Sequence, residues 1–95
     1  MDLKLIESIK TYFKSTPINK AWIFGSFSRG EETPQSDLDI LVEVKRDAKM
    51  GFGFFKMIGD LEKISGRSVD LVECNMLDPH VASFVNKDRL LIYER

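Results

Sequence analysis

Cysteine and histidine are almost absent from this chain of 95 residues, which contains one of each, Cys74 and His80. A single cysteine excludes a disulfide within the chain and favours a reducing compartment. Long apolar runs are also missing, since no stretch approaches the ~20 residues that a membrane helix needs. Residues 1–10 are charged throughout and lack the apolar core of a signal peptide. We therefore expect a cytoplasmic protein without a membrane segment.

An excess of charge of either sign is missing as well. The formal net charge is -1, so no overall positive field steers the chain to nucleic acid, and direct nucleic-acid binding is not expected. A hydrophobic share of 43% and a charged share of 31% are typical of globular domains. The chain has no repeat, no low-complexity tract and no long linker, which predicts one domain over residues 1–95.

Hydrophobic periodicity predicts alternating helices and strands. The predicted strands are residues 21–24, 38–44, 69–72 and 90–93. Two amphipathic helices are predicted, one from Leu5 to Phe13 and one from Phe54 to Ile64 that Gly66 caps. A short third helix is expected from Asp78 to Val85, where Pro79 occupies the first turn. This order predicts an α/β (α+β) fold with a small mixed sheet of about four strands and helices on one face.

Two aspartates, Asp37 and Asp39, stand one residue apart at the start of the second strand. Because side chains alternate along a strand, both carboxylates point to one face while Leu38 and Ile40 point to the other. Carboxylates at ~4 Å repel by roughly 4 kcal/mol at an effective dielectric of about 20, unless they share a proton or a cation. Asp70 occupies a matching position in the third strand. If the two strands are neighbours, three carboxylates converge, and oxygen ligands of this kind favour Mg²⁺ or Mn²⁺ over zinc.

A glycine-serine segment follows the first strand. Gly25 allows close backbone approach, Ser26 adds a hydroxyl, and a short helix after them would present free N–H groups to an anion. Two interpretations of Arg29 remain open: it binds a phosphate, or it forms a structural ion pair. Ser36 either contacts a ligand or caps the turn before Asp37.

These residues carry a family resemblance: Gly25-Ser26-x-x-Arg29-Gly30, then Ser36-Asp37-x-Asp39, then Asp70. The pattern resembles the nucleotidyltransferase superfamily that includes DNA polymerase beta, and most closely its minimal nucleotidyltransferases. The resemblance implies the polymerase beta-like fold and two-metal transfer of a nucleoside monophosphate, AMP from ATP, to a hydroxyl.

The resemblance also implies a role for each site residue. Gly25 and Ser26, with Arg29 and Ser36 as further candidates, would hold the triphosphate of ATP. Asp37 and Asp39 would hold two Mg²⁺ ions. Asp70 would bind the second ion and help to deprotonate the acceptor hydroxyl.

The acceptor is the open question, because the pattern leaves no residues for an acceptor-binding domain. Minimal nucleotidyltransferases are often paired with a helical HEPN-domain toxin, which implies a hetero-oligomer and an antitoxin that adenylylates a tyrosine of its partner. Two alternatives remain: an aminoglycoside-type small-molecule nucleotidyltransferase with a helical second subunit, and a non-catalytic antitoxin that inhibits by binding. Phe52, Phe54 and Phe55 predict an apolar surface for a partner, with Phe55 and Ile58 facing the core and Phe52 or Phe54 facing outward.

Overall fold

The computed structural model describes residues 3–48, 50–74 and 89–95. Six elements follow one another along this part of the chain: α1 (Leu3–Phe13), β1 (Ile18–Phe24), β2 (Leu38–Val44), α2 (Gly53–Ser65), β3 (Val69–Glu73) and β4 (Leu90–Glu94). The short helix predicted from Asp78 to Val85 lies outside the described residues. Neither α1 nor α2, the helices of the described ranges, combines the length and apolar character that a membrane span requires.

The four strands form one mixed sheet in the order β3-β2-β1-β4. β1 pairs antiparallel with β2 and with β4, whereas β2 and β3 are parallel and are joined through α2. A parallel pair requires such a crossover, and the helix supplies it. Strand content and order confirm the predicted fold class, although β1 begins at Ile18, three residues before the predicted start.

The hydrophobic core lies between the sheet and the two helices. Leu38, Ile40 and Val42 of β2 are fully buried and share one cluster with residues of both helices. Their alternation along β2 means that the other face of the strand, which carries Asp39, points away from the helices. The core therefore fixes the direction in which the carboxylates project.

Helix α1 follows from its apolar spacing, with Ile9 and Phe13 fully buried. Its end is closed by Thr16, whose backbone N–H and hydroxyl both donate to the carbonyl of Phe13. The hydroxyl of Tyr12 donates to a carboxylate oxygen of Asp60 at 2.7 Å and so joins α1 to α2.

Helix α2 ends as predicted, because Gly66 adopts a left-handed conformation (φ 68°) and its N–H donates to the carbonyl of Glu62. The expected orientation is wrong for Phe55, which is 70% exposed, whereas Phe54 packs against the core. It is confirmed for Ile58, which packs against the core, and for Phe52, which is exposed. The buried residues Met57 and Leu61 decide this, since a stripe through both of them passes through position 54 rather than 55.

Candidate active site

Strand register brings the predicted carboxylates to one face of the sheet. Asp39 lies beside Asp70 of β3 and, on its other side, beside Phe24 of β1. Registered residues on neighbouring strands project to the same face, with strands about 4.8 Å apart. Asp37 is two residues before Asp39 and is exposed at the start of β2. The predicted convergence of the carboxylates required β2 and β3 to be neighbouring strands, and in the structure they are neighbours.

The surroundings of Asp39 favour the protonated form of its carboxyl. Burial raises its pKa above the usual value, and the negative charges of Asp70 and Asp37 raise it further, while the positive charge of Arg29 opposes the rise. Ionised Asp39 is therefore unfavourable in the absence of a cation.

Gly25 lies directly against Asp39. Its φ of +73° is in the left-handed region that favours glycine, and a Cβ added there would overlap Oδ2 of Asp39 and come within 3.3 Å of its Cγ. The chain immediately after β1 thus passes the carboxylate at a distance that only a glycine allows. Main-chain atoms of Gly25 therefore lie next to Oδ2 of Asp39.

The segment after Gly25 forms hydrogen-bonded turns instead of the expected short helix. The N–H of Arg29 donates to the carbonyl of Gly25 and the N–H of Glu31 donates to that of Ser26. The hydroxyl of Ser28 also donates to the carbonyl of Gly25, at 2.8 Å. In such a turn the first amides, which include that of Ser26, point back toward its beginning, and this end lies beside Asp39.

The two remaining predicted residues lie at the edges of the site. Arg29 is exposed and pairs with Glu31, with 3.1 Å between Nε and Oε2. The hydroxyl of Ser36 accepts from the backbone N–H of Thr33 at 2.8 Å, which is a turn-capping contact. The structural role of each residue is thus present in the geometry, and a nucleotide contact by either stays a prediction.

Arg67 contacts the segments of the site but was not among the site residues predicted from the sequence. Its Nη1 donates to the carbonyls of Thr33 at 2.7 Å and Ser36 at 3.0 Å, and its guanidinium lies 4.6 Å from the ring centre of Phe27. Local sequence patterns do not predict contacts between segments so far apart in sequence. The position of Arg67 shortly before the strand that carries Asp70 is the one feature of the sequence that could have indicated its role.

None of the predicted site residues lines the cavities of about 460 and 350 Å³, although Phe27 and Arg67 line the smaller one. Within residues 3–48, 50–74 and 89–95, no three acidic, imidazole or thiolate side chains form a complete metal-binding group. Mg²⁺ in phosphate-transferring sites is usually held by one or two carboxylates together with substrate phosphates and water. The crowded oxygen donors around Asp39 fit an ion of this kind.

Comparison with known proteins gives a family. A model described as a nucleotidyltransferase domain matches residues 3–92. The protein adenylyltransferase MntA of Thermococcus cleftensis is 32% identical over 93 residues, which cover 93% of this chain and 93% of that protein. A Methanocaldococcus jannaschii protein named as a candidate protein adenylyltransferase is 40% identical over 73 residues, covering 75% of this chain and 71% of its own length.

Solved structures share the fold. A chain of a toxin–antitoxin complex with AMP-PNP aligns at a TM-score of 0.82 and 20% identity, over 95% of this chain and 73% of that one. A complex of tri-AMPylated Shewanella oneidensis HEPN toxin with MNT antitoxin gives 0.77 and 18%, over 100% and 74%. A candidate minimal nucleotidyltransferase gives 0.78 and 26%, over 95% of each chain. These similarities confirm the expected fold and the resemblance to minimal nucleotidyltransferases.

Proposed function

The chain belongs to the nucleotidyltransferase domain family, and on that premise we propose that it is an antitoxin that transfers AMP from ATP to a tyrosine hydroxyl of a helical HEPN-domain toxin. The observation that carries the proposal is the register that sets Asp39 beside Asp70, against a glycine with no room for a side chain. Relatives named protein adenylyltransferase support the reaction type. A similar fold in a complex of an AMPylated HEPN toxin with an MNT antitoxin supports the partner.

Gly25 and Ser26 are the proposed binding site for the triphosphate. Because Gly25 carries no side chain, phosphate oxygens can approach the main chain next to Asp39. Amides at the start of the turn and the hydroxyl of Ser26 donate hydrogen bonds to these oxygens. Arg29 and Ser36, at the edge of the same surface, are proposed as secondary contacts.

Asp37, Asp39 and Asp70 are the residues that would hold Mg²⁺, with Mn²⁺ as a substitute. When bound, the ions neutralise charge on the triphosphate and on the attacking oxygen. The carboxylates themselves contribute a negative surface that is unfavourable without a cation, as the raised pKa of Asp39 indicates. Binding of ATP is therefore coupled to binding of the metal.

The transfer step needs no covalent intermediate on this chain. The tyrosine oxygen attacks the α-phosphorus of ATP, a new P–O bond forms, and the bond to the β-phosphate oxygen breaks to release pyrophosphate. Asp70, which is exposed on β3, accepts the proton of the tyrosine hydroxyl. Positioning and charge neutralisation account for the rest of the catalysis.

The proposed partner has a surface on which to bind. Phe52 and Phe55 are 88% and 70% exposed at the N-terminal end of α2, and large exposed aromatic side chains that lie close together favour a protein-binding surface. A helical protein covering them would form the expected hetero-oligomer. The single cysteine fits the proposed cytoplasmic location of this complex.

Intact mass spectrometry of the partner tests the proposal. The chain is purified with its partner, and the complex is incubated with ATP and Mg²⁺. We expect the mass of the partner to increase by one or more AMP groups, and peptide mapping to place them on tyrosine.

A matched variant, Asp70→Asn, separates binding from chemistry. It is expected to keep much of the affinity for ATP, measured by calorimetry, while the transfer rate falls by orders of magnitude. An unmodified partner that is nevertheless inhibited would identify a non-catalytic antitoxin. Transfer to an added aminoglycoside, with the partner unmodified, would identify a small-molecule enzyme.

A further inference from the structure

Arg67 lies where three segments of the site meet. It follows the cap of α2 and precedes β3, the strand that carries Asp70. Its guanidinium contacts the turn after Gly25 through Phe27, and the segment before Asp37 through the carbonyls of Thr33 and Ser36. One side chain therefore connects the proposed triphosphate site with both segments that carry the carboxylates, the one with Asp37 and Asp39 and the one with Asp70.

The segment held by Arg67 has little other regular structure. Residues 31–37 contain neither helix nor strand, and the N–H of Ser36 closes a turn on the carbonyl of Thr33, which Arg67 also contacts. β2 begins immediately afterwards, where the N–H of Leu38 donates to the carbonyl of Ser68. The position of Asp37 thus depends on the turn that Arg67 holds.

The geometry requires an arginine. Nη1 donates both of its hydrogens to two carbonyls while the planar guanidinium stacks on Phe27, a core residue that is only 3% exposed. A lysine ammonium has no planar face to stack and no rigid orientation for two simultaneous bonds. We therefore propose that Arg67 is a positioning residue that sets Asp37 relative to Asp70 and thereby controls Mg²⁺ and ATP binding.

This inference rests on the proposed function of the carboxylates, so its test includes a measurement that does not require transfer. Arg67→Gln removes the positive charge and the guanidinium that contacts Phe27 and the carbonyls of Thr33 and Ser36. Hydrogen exchange of the amides of Ser36 and Leu38 then becomes faster, because the turn opens without unfolding of the sheet. The Mg²⁺ concentration needed for half-maximal ATP binding rises by ~10-fold or more, the usual effect of removing a residue that orients metal ligands.

Arg95 provides a matched control. Its guanidinium also donates to two backbone carbonyls, those of Thr16 and Ile18. These contacts lie near the start of β1, about 20 Å along the strand from Gly25. Arg95→Gln is expected to lower the melting temperature but to leave both the exchange at Ser36 and the Mg²⁺ requirement unchanged.

Each outcome decides the inference. Equal exchange and equal Mg²⁺ dependence in Arg67→Gln and wild type would overturn it, and so would equal changes in Arg95→Gln. If Arg67→Gln does not fold, Arg67→Lys is measured against wild type in the same way; a higher Mg²⁺ requirement is expected, and a requirement equal to that of wild type would overturn the inference. If Arg67→Gln needs more Mg²⁺ than wild type to bind ATP, but wild type modifies no partner, the inference about Arg67 would stand. Only the proposed AMP transfer would then be contradicted.

Discussion

Comparison of two glycines with nearly the same backbone conformation distinguishes the effect of backbone strain from the effect of steric overlap with Asp39. Gly25 and Gly30 have φ values of +73° and +70°, but a Cβ meets Asp39 only at Gly25 and nothing within 4 Å at Gly30. Replacement by alanine places an L-residue in the left-handed region in both variants, at about 1–2 kcal/mol each. We expect both variants to melt at lower temperature and only Gly25→Ala to lose MgATP binding in calorimetry.

The outcome that would contradict this is specific to Gly30. If Gly30→Ala lost binding as completely as Gly25→Ala, backbone strain in the turn would explain the loss. Close approach to Asp39 would then have no role of its own.

The raised pKa of Asp39 predicts how stability depends on pH. Because burial and neighbouring carboxylates raise this pKa in the folded protein, the folded state binds more protons than the unfolded chain between the two pKa values. The free energy of unfolding contributed by Asp39 therefore falls as pH rises through this window. In chelator at pH 7, we expect Asp39→Asn to be more stable than wild type by up to about 1 kcal/mol, a small difference because solvent screens the partly exposed carboxyl.

Thermal unfolding at several pH values checks this expectation. The difference between Asp39→Asn and wild type should disappear below pH ~3.9, where the carboxyl is protonated in both states. Asp47→Asn, at an exposed position in the β2–α2 connection, is the control and should change little. Equal stability of Asp39→Asn and wild type at pH 7 would mean that the carboxylates do not repel in the free protein.

Local sequence patterns were sufficient to select the candidate site residues. Contacts between residues far apart in sequence could not be predicted from such patterns. Period-two alternation placed Asp37 and Asp39 on the face away from Leu38 because that pattern depends only on neighbouring residues. The pairing of Asp39 with Asp70 could be stated only as a condition, since register between distant strands depends on tertiary packing. Arg67 was missed because its partners lie more than 30 residues away in sequence.

Among the elements, the two helices are joined by a contact that the sequence does not reveal. The hydroxyl of Tyr12 in α1 donates a hydrogen bond to Asp60 in α2. This hydrogen bond makes the largest contribution to lowering the pKa of Asp60, and a hydrogen bond from Lys56 makes the next largest. A lowered folded pKa contributes stability above the unfolded pKa, and this stability is lost as pH falls through the folded pKa. Tyr12→Phe should therefore melt at lower temperature than wild type at pH 7, with a difference that shrinks in acid.

Lys56→Gln is the control for this helix contact. Lys56 pairs with Asp60 one turn away on the same helix, and its side chain is 78% exposed, so its contribution should be small and should decrease with added salt. The contribution of Tyr12 should persist in salt, because it is a part-buried hydrogen bond. A Tyr12→Phe variant with unchanged melting temperature at pH 7 would contradict the proposed connection between the helices.

Element type and order were predictable from hydrophobic periodicity, whereas the rotation of α2 was not. Adjacent phenylalanines at 54 and 55 fit two different helical stripes, and sequence alone favoured the wrong one. The structure selects the stripe through Phe54 because Met57 and Leu61 are buried in the core and Phe54 packs against the same cluster. A choice between two apolar faces that differ by one residue is decided by packing, which the pattern does not contain.

For the whole molecule, the exposed phenylalanines on α2 give a prediction about assembly. A stable complex typically buries ~1,200–2,000 Å² in total, and a few central aromatic residues contribute most of its affinity. Phe52 and Phe55 are suited to this role, since both are largely exposed at the N-terminal end of α2. We therefore expect the double variant Phe52→Ser, Phe55→Ser to fold normally and to bind the proposed HEPN-domain partner at least ~10-fold more weakly.

Leu3→Ser is the matched control, because Leu3 is 77% exposed on α1 and its replacement removes a similar exposed apolar side chain. Affinity is measured by calorimetry with the purified partner, and transfer is measured as a function of partner concentration. Loss of docking should raise KM for the partner while kcat at saturation stays near the wild-type value, since the carboxylates are untouched. Normal affinity of the double variant would place the partner on another surface, and an equal loss in Leu3→Ser would show that exposed apolar area in general, not the α2 surface, drives association.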